Sequence, residues 1–224
     1  MRQHPFEFPH YVIERVMAKR GRIRVFDHFD PTRTALIVID MQRFYVEEVE
    51  TAQSIVPNIN LVADTLRDKG GIVVWACMTA GQEGQSLWPV YHDNFFSEAK
   101  GARHRDQLTE GSPGHEIWPD LDVRDADLVV YKHRFSAFTS GPPDLDSLLR
   151  DRGIENVIIC GTATNFCCET SARDAMMLDY RVVMVSDGNA ARYDEDHIVG
   201  LTTVFQSFGD VLTTDQVCND LLTA

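Results

Sequence analysis

Three residues with reactive side chains lie at the ends of apolar runs that are typical of buried strands. Asp40, Lys132 and Cys167 each lie at or shortly beyond the carboxyl end of such a run, and a helix is predicted to begin near Cys167. In an open parallel sheet, ligands bind beyond the carboxyl ends of the strands, so we expect these side chains to converge. Together they would supply a base, a cation and a nucleophile.

This combination of residue types indicates thiol chemistry at an amide-type carbonyl. Only the thiolate attacks, and a helix N-terminus and the Lys132 ammonium both favour the thiolate, so we expect Cys167 to be activated. Asp40 can take the thiol proton and return it to a leaving nitrogen, and backbone N–H groups of the 161–167 turn can hold the oxyanion. Taken singly, each residue also fits a structural role: a helix cap, an exposed strand flank and a small buried apolar side chain.

The alternation of strands and helices predicts an α/β protein. Six apolar runs without polar alternation are typical of strands buried on both faces: 35–40, 71–76, 128–131, 156–160, 181–185 and 210–213. Amphipathic stretches predict helices at 55–69, 144–152, 166–179 and 194–208. We therefore predict a three-layer α/β/α sandwich around a six-stranded, mostly parallel sheet of the Rossmann-like kind.

The segment 79–127 interrupts this alternation. It is rich in Gly, Pro and charged residues, and it is too long for an ordinary connection between a strand and a helix. Because its aromatic residues can pack, we expect an ordered lid or subunit contact. We interpret residues 1–34 as an N-terminal arm and residues 35–224 as a single domain. The arm and the long segment favour a homo-oligomer, either a dimer or a tetramer.

The composition argues against several classes of protein. The 224 residues include 21 Lys and Arg against 34 Asp and Glu, a formal net charge of −13, without a basic stripe, so we expect no binding to nucleic acid. The apolar runs are far shorter than the ~20 residues of a membrane helix, and no secretory signal is visible. Five cysteines, placed mostly in apolar runs, argue against a disulfide framework and favour a reducing cytoplasm. No Gly-x-Gly-x-x-Gly fingerprint follows a strand, so we expect no dinucleotide cofactor, and no other cofactor is indicated.

Four segments are similar, in order, to motifs of a known superfamily: 36–42, 132–138, 161–175 and 182–187. By these segments the chain resembles the isochorismatase-like cysteine hydrolases, the superfamily of N-carbamoylsarcosine amidohydrolase, nicotinamidase and ureidoacrylate amidohydrolase. The resemblance spans about residues 34–215 and implies the isochorismatase-like fold. The family pattern Gly-x-x-Thr-x-x-Cys selects Cys167 as the nucleophile over the adjacent Cys168, which we interpret as structural.

The resemblance assigns roles to residues of this sequence. It implies that Asp40, Lys132 and Cys167 form a catalytic triad. It also implies a cis peptide bond between Thr162 and Ala163, with the amides of Ala163 and Cys167 forming the oxyanion hole.

The resemblance also bears on metal and substrate. The nicotinamidase branch carries an Asp-x-His metal motif after the second strand, whereas this chain reads Trp-Ala-Cys-Met-Thr-Ala-Gly-Gln at 75–82, so we expect no metal ion. We interpret His92 and His104, in the long segment, as exposed side chains. The cysteine and the likeness of 132–138 to ureidoacrylate hydrolases favour a small linear amide or a carbamoyl or ureido compound. It would be hydrolysed through a thioester on Cys167, with release of ammonia.

The substrate contacts that we expect near the pocket mouth are aromatic or polar side chains: Phe44, Tyr45, Thr79, Gln82, Trp88, Arg134 and Phe138. Most of them also fit core or lid packing, and Arg134 fits either a substrate carboxylate or a nearby aspartate. Two other functions stay open. One is a catalytically inactive binding or scaffold module with the same fold, and the other is a nicotinamidase-type amidase.

Overall fold

A six-stranded sheet forms the middle layer of the protein, whose computed structural model describes residues 2–139 and 144–223. The strands are β1 (Thr34–Ile39), β2 (Ile72–Met78), β3 (Gly81–Gln82), β4 (Gln85–Ser86), β5 (Leu128–Lys132), β6 (Asn156–Thr162), β7 (Arg181–Ala190) and β8 (Asp210–Leu212). The order in the sheet is β5-β2-β1-β6-β7-β8 with all neighbours parallel, while β3 and β4 form a separate antiparallel hairpin. The predicted α/β fold around six strands is confirmed.

The strand β1 shows why the sequence folds as a sheet covered on both faces. All six of its residues are buried. Ile37 and Ile39 belong to the core on one face of the sheet, whereas Leu36 and Val38 belong to the core on the other face. Successive side chains of a strand point to opposite faces, so a run without polar residues needs cover on both.

Helices form the two outer layers of the sandwich. In chain order they are α1 (His10–Arg20), α2 (Arg43–Val46), α3 (Glu50–Ser54), α4 (Val56–Asp68), α5 (Pro89–Phe95), α6 (Glu98–Gln107), α7 (Leu145–Arg150), α8 (Glu169–Met177), α9 (Asp194–Ser207) and α10 (Thr214–Gln216). The helices α1, α7, α8 and α9 contribute to one core, and α4 contributes to the other. Within the described residues, no helix is both long enough and apolar enough to cross a membrane.

The segment 79–127 is ordered, and it contains more regular structure than its sequence indicates. The hairpin of β3 and β4 is followed by α5, by α6 and by a 3₁₀ turn at Pro113–His115. Neither helix is predicted, because neither shows an apolar stripe. In α6 the buried residues are Gly101 and His104, so polar packing and not hydrophobic periodicity holds this helix in place.

The N-terminal arm also contains a helix that the sequence pattern does not predict. Val12 and Val16 of α1 are almost fully buried in the core that also contains Leu201 and Phe205 of α9. The arm therefore completes part of the hydrophobic core of the same chain. Its description as a unit separate from residues 35–224 stays a prediction.

Candidate active site

The site lies where the order of the strands reverses. The strand β1 pairs with β2 on one side and with β6 on the other. The chain therefore adds strands on one side of β1 first and on its opposite side later. Such a reversal opens a crevice at the carboxyl ends of the two central strands. Asp40 follows β1 and Cys167 follows β6, and both side chains reach this crevice.

Asp40 is held in an unusual backbone conformation directly after β1. Its φ angle is 52°, in the left-handed region, which aspartate tolerates better than most residues. Its amide donates a hydrogen bond of 2.9 Å to the carbonyl of Ala76, which ties the turn to β2. The side chain is 1 % exposed, so the turn buries a carboxyl group beside the crevice.

Gln42, which the sequence analysis did not single out, fixes the turn that follows Asp40. Its side chain is fully buried, donates to the carbonyls of Met78 and His115 at 3.0 Å each, and accepts from the Met78 amide at 2.8 Å. The amide group thus joins the end of β1 to the end of β2. A glutamine two residues after a strand-end aspartate is the signal that was available in the sequence.

Lys132 is the last residue of β5 and is fully buried. Its ammonium nitrogen lies 2.8 Å from Asp40 Oδ2, 3.4 Å from Cys167 Sγ and 3.0 Å from the carbonyl oxygen of Arg134. An ammonium group has three N–H donors, and the sulfur of Met78, at 3.8 Å, is a fourth and weaker acceptor beside it. The structure therefore brings together the three side chains that the sequence singles out.

The turn that carries Cys167 is shaped by a close contact between two strands. At Gly161 the φ angle is 123°, and a β-carbon there would lie 2.1 Å from the carbonyl oxygen of Ile39. Only glycine allows this approach. After a cis peptide bond between Thr162 and Ala163, the chain enters a π-helical turn at Thr164–Cys168, and α8 follows it. The predicted helix from residue 166 thus begins as a π-helical turn.

The two adjacent cysteines differ in their access to the crevice. Cys167 is 8 % exposed and lines the crevice, whereas Cys168 is fully buried in the core between the sheet and α8. This placement agrees with a structural role for Cys168. All five cysteines are free and buried.

The electrostatics of the cluster differ from the expectation of a preformed thiolate. Burial, together with the nearby Asp40 carboxylate, raises the pKa of Cys167 above that of an ordinary thiol, against the opposing effect of Lys132. Burial likewise raises the pKa of Asp40, with Lys132 opposing, while the pKa of Lys132 is raised by Asp40 and Cys167 against the effect of burial. A carboxylate, an ammonium and a thiol carry no net charge, and ionising the thiol would leave a buried negative charge. The raised pKa of Cys167 therefore favours the protonated thiol while Asp40 is ionised.

The crevice opens into a cavity of about 470 Å³. Six aromatic side chains line it: Phe44, Tyr45, Tyr91, Phe96, Phe135 and Phe166. Ala163 and Thr162 line its floor beside Cys167. A cavity of this size with apolar walls and a few convergent polar groups is typical of a site for a small molecule.

The structure brings two of the seven expected substrate contacts, Phe44 and Tyr45, to this cavity. Thr79 and Gln82 are not among the described residues that line it. The hydroxyl of Thr79 is 2.8 Å from Nε2 of His115, and this hydrogen bond ties the end of β2 to the 3₁₀ turn. Gln82 is an exposed residue of the β3–β4 hairpin.

Trp88, Arg134 and Phe138 also lie outside the described lining of the cavity. The guanidinium of Arg134 stacks on Trp88 at 5.0 Å and donates to the carbonyl oxygen of Leu87 at 3.1 Å, and within the described part of the chain it forms no ion pair with an aspartate. Phe138 packs against Tyr180 with ring centroids 5.7 Å apart. These side chains make packing contacts in the structure, and their role toward a substrate stays a prediction.

The mouth of the cavity carries charged side chains that the sequence pattern does not reveal. Lys100, Arg103 and Arg192 lie there with a single carboxylate, that of Glu48. Arg103 forms an ion pair with Glu48, and Arg192 approaches the same side chain at 4.0 Å. The mouth thus has an excess of positive charge on a chain whose net charge is −13. These residues come from three separate segments, and only the fold assembles them.

The interpretation of His92 and His104 as exposed side chains is wrong. They are 8 % and 7 % exposed, and Nε2 of His92 lies 2.9 Å from Nδ1 of His104. Both lie on helices of the 79–127 segment that pack against each other, so the polar sequence of that segment conceals a buried contact. Within the described residues, no group of three or more His, Cys, Asp or Glu side chains is placed to hold a metal ion.

Comparisons with known proteins agree with the fold. Residues 34–216 match the model of the isochorismatase domain family. The isochorismatase family protein YwoC of Bacillus subtilis (strain 168) is 29 % identical over 195 residues, which cover 84 % of this chain and 94 % of that protein.

Two solved structures extend the comparison to three dimensions. The chain is 28 % identical to a cysteine hydrolase from Pseudomonas syringae pv. phaseolicola 1448A, with a TM-score of 0.77 and coverage of 88 % of this chain and 95 % of the other. It is 25 % identical to N-carbamoylsarcosine amidase from Thermoplasma acidophilum, with a TM-score of 0.66 and coverage of 82 % and 97 %.

Proposed function

Because this chain belongs to the isochorismatase family and its strand ends bring a thiol, a carboxyl group and an ammonium together, we propose that it is a cysteine amidohydrolase. Its substrate would be a small linear amide or a carbamoyl or ureido compound, and ammonia would be released. The observation that carries the proposal is the contact of the Lys132 ammonium with both Asp40 and Cys167 at the floor of a cavity. The similarity to a cysteine hydrolase and to an amidase supports the same reaction.

The first half of the reaction forms a thioester. The thiol of Cys167 gives its proton to Asp40 as the sulfur attacks the carbonyl carbon, and the negative charge passes to the carbonyl oxygen. The amides of Ala163 and Cys167 hold that oxyanion, for which one well-placed donor contributes about 3 kcal/mol. The tetrahedral intermediate then collapses: the C–N bond breaks, and Asp40 returns the proton to the leaving nitrogen. Ammonia leaves, and the acyl group remains on sulfur.

The second half of the reaction releases the acid. Water gives a proton to Asp40 and attacks the thioester carbonyl, and the second tetrahedral intermediate expels the sulfur, which recovers its proton from Asp40. Proton transfer between Cys167 and Asp40 leaves the net charge of the buried cluster unchanged. The cluster can therefore move a proton in a dry site without the large cost of creating a charge. Lys132 stays protonated and lies next to whichever partner is negative.

The test is ammonia release from a panel of amides, ureides and carbamoyl acids, with Cys167→Ala and Cys167→Ser as the variants. Both are expected to lose activity by at least about a thousandfold while keeping the wild-type circular dichroism spectrum and Tm. The matched control is Cys168→Ala, which removes the adjacent thiol and is expected to keep the activity on the same substrate. More than a few per cent of residual activity in both Cys167 variants would exclude the thioester mechanism. Absence of ammonia release from every compound would favour the binding module.

A further inference from the structure

A chain of four hydrogen-bonded side chains runs from the β3–β4 hairpin to the wall of the cavity. Ser86 Oγ lies 2.5 Å from His92 Nδ1, and His92 Nε2 lies 2.9 Å from His104 Nδ1. His104 Nε2 in turn lies 3.4 Å from the hydroxyl oxygen of Tyr45. His104 and Tyr45 both line the cavity with Cys167, so the chain ends where a substrate would bind.

The two histidines of this chain carry no charge at neutral pH. Burial, followed by the neighbouring His92 and Lys132, lowers the pKa of His104 to about 4. Burial also lowers the pKa of His92. A neutral imidazole donates through one nitrogen and accepts through the other, so the protons of the chain must all point in one direction.

The hydroxyl of Ser86 begins one of the two directions that the distances allow, because in the other direction its second lone pair accepts from His92. Its oxygen accepts a hydrogen bond from the amide of Trp88 at 3.0 Å. Among the described residues, the acceptor within reach of its own proton is Nδ1 of His92. In the direction that begins at Ser86, this hydroxyl donates to His92, which carries its proton on Nε2 and donates to His104. His104 then also carries its proton on Nε2 and donates to the oxygen of Tyr45.

The end of the chain leaves the Tyr45 hydroxyl as a donor without an acceptor. Its oxygen receives the His104 proton, so its own hydrogen must point elsewhere. No second described residue forms a hydrogen bond with this hydroxyl. Burial and the nearby Asp40 and Cys167 raise the pKa of Tyr45 well above its ordinary value, so the phenol keeps its proton. Tyr45 is half-buried and borders the cavity, so a ligand or a water molecule there can accept this hydrogen bond.

We propose that the protons of this chain point from Ser86 toward Tyr45, that Tyr45 is a specificity-determining residue whose hydroxyl donates to an acceptor oxygen of the substrate, and that His92 and His104 are positioning residues that fix the direction of this hydroxyl. The inference rests on the proposed function for the identity of the cavity as the substrate site. The preferred substrate then carries, besides the scissile amide, a second acceptor oxygen such as that of a carboxylate, a ketone or another amide.

The first test measures the tautomers directly and does not depend on activity. In the full chain labelled with ¹⁵N-histidine, the signals of His92 and His104, assigned by His92→Gln and His104→Gln, should both show the neutral Nε2–H tautomer at pH 7.5. Ser86→Ala should shift the ¹⁵N signals of His92 more than those of His104. A protonated Nδ1 on either histidine would reverse the chain and overturn the proposal.

The second test measures binding to the inactive Cys167→Ala protein by calorimetry. The probes are N-carbamoylglycine, succinamic acid and acetoacetamide, which carry a second acceptor oxygen, and butyramide, which carries none. Tyr45→Phe should weaken at least one of the first three probes by about tenfold and change butyramide less than twofold. If Tyr45→Phe changes the affinity of none of the three, the proposal is wrong.

A double-mutant cycle separates positioning from a structural role. His104→Leu alone should weaken the same probes as Tyr45→Phe, and the double variant should be no weaker than the Tyr45→Phe protein. Additive losses, or an equal loss for butyramide, would mean that His104 supports only the fold and would overturn its assignment. Because the binding protein lacks the Cys167 thiol, these results stand even if the ammonia assay contradicts the proposed function.

Discussion

Replacing Asp40 by asparagine is expected to make Cys167 more reactive toward iodoacetamide while abolishing amide hydrolysis. Asp40 has two opposed effects in the cluster. Its negative charge raises the pKa of the neighbouring thiol, yet its carboxylate is the acceptor for the thiol proton during catalysis. The asparagine side chain has the same shape, cannot take a proton, and leaves the Lys132 ammonium without a carboxylate partner. The thiolate then becomes the natural counter-ion of that ammonium.

The size of the effect follows from the geometry. Asp40 Oδ2 and Cys167 Sγ lie 2.8 Å and 3.4 Å from the same Lys132 nitrogen. The two are therefore at most ~6 Å apart, where two negative charges repel by about 2.7 kcal/mol at an effective dielectric constant of about 20. Removing this repulsion raises the thiolate fraction about a hundredfold at fixed pH. A less basic thiolate is a weaker nucleophile, so the rate of alkylation should rise about tenfold.

The assay is the rate of Cys167 alkylation at pH 7.0, followed by mass spectrometry of the modified peptide, with Cys218 as the internal reference. Wild-type Cys167 should react more slowly than a free thiol, and its rate should still be rising at pH 9, where a free thiol levels off. In the Asp40→Asn protein the alkylation rate should rise while ammonia release falls at least about a thousandfold. An unchanged or slower alkylation rate would refute the view that Asp40 holds the thiol in its protonated form.

Three further predictions concern the cavity mouth, acid stability and the Gly161 contact. Arg103→Gln should raise the KM for carboxylate-bearing substrates about tenfold at low salt and change the KM for neutral amides by less than about twofold. Arg105→Gln, on the same helix, should change neither KM. Burial first, and then His92 and Lys132, lower the pKa of His104 from about 6.5 in the unfolded chain to about 4 in the folded protein. The contribution of His104 to stability is therefore complete above pH 6.5 and is lost as the pH falls toward 4. His104→Gln should therefore lose about 2 kcal/mol less than the wild type between pH 7.5 and pH 5 in urea titrations, and an equal loss would contradict this assignment. Gly161→Ala should lower the free energy of unfolding by about 3 kcal/mol or more, because the added β-carbon would meet the Ile39 carbonyl. Gly84 also has a positive φ but has open space around it, so Gly84→Ala should cost about 1 kcal/mol. Equal costs for the two variants would exclude the contact as the cause.

The sequence predicts the sheet and the reactive centre for one shared physical reason. Buried strands such as Ala35–Ile39 need uninterrupted apolar residues, and a polar residue at the end of such a run is conspicuous. Asp40 and Lys132 stand out in this way, and the turn that begins with Gly161 at the end of β6 marks the approach to Cys167. Parallel strands then bring their ends to one edge, so convergence follows from the fold class. The roles of these residues and of the oxyanion amides stay predictions until the variants are measured.

The remainder of the site could not be predicted because it depends on contacts between polar segments. No apolar periodicity marks α5 or α6, so His92 and His104 look like loop residues although each is buried against the other. The raised pKa of the Cys167 thiol also differs from the expectation of an activated thiolate. A count of nearby positive charges favours a thiolate, whereas burial beside Asp40 reverses the outcome, and burial is a property of the folded chain.

The origin of each part of the cavity indicates which kinetic constant its variants should change. The proton-transfer cluster lies on strand ends and has no net charge, so the chemistry there is independent of what the rest of the substrate carries. Tyr45, His104 and Arg103 line the same cavity, and the two histidines of the polar chain and Arg103 come from α5 and α6. A substrate tail bound there contributes equally before and during reaction at the carbonyl, and such uniform binding alters KM more than kcat. Variants of the 79–127 segment should therefore separate substrates by KM, whereas variants of Asp40 or Lys132 should lower kcat for every substrate alike.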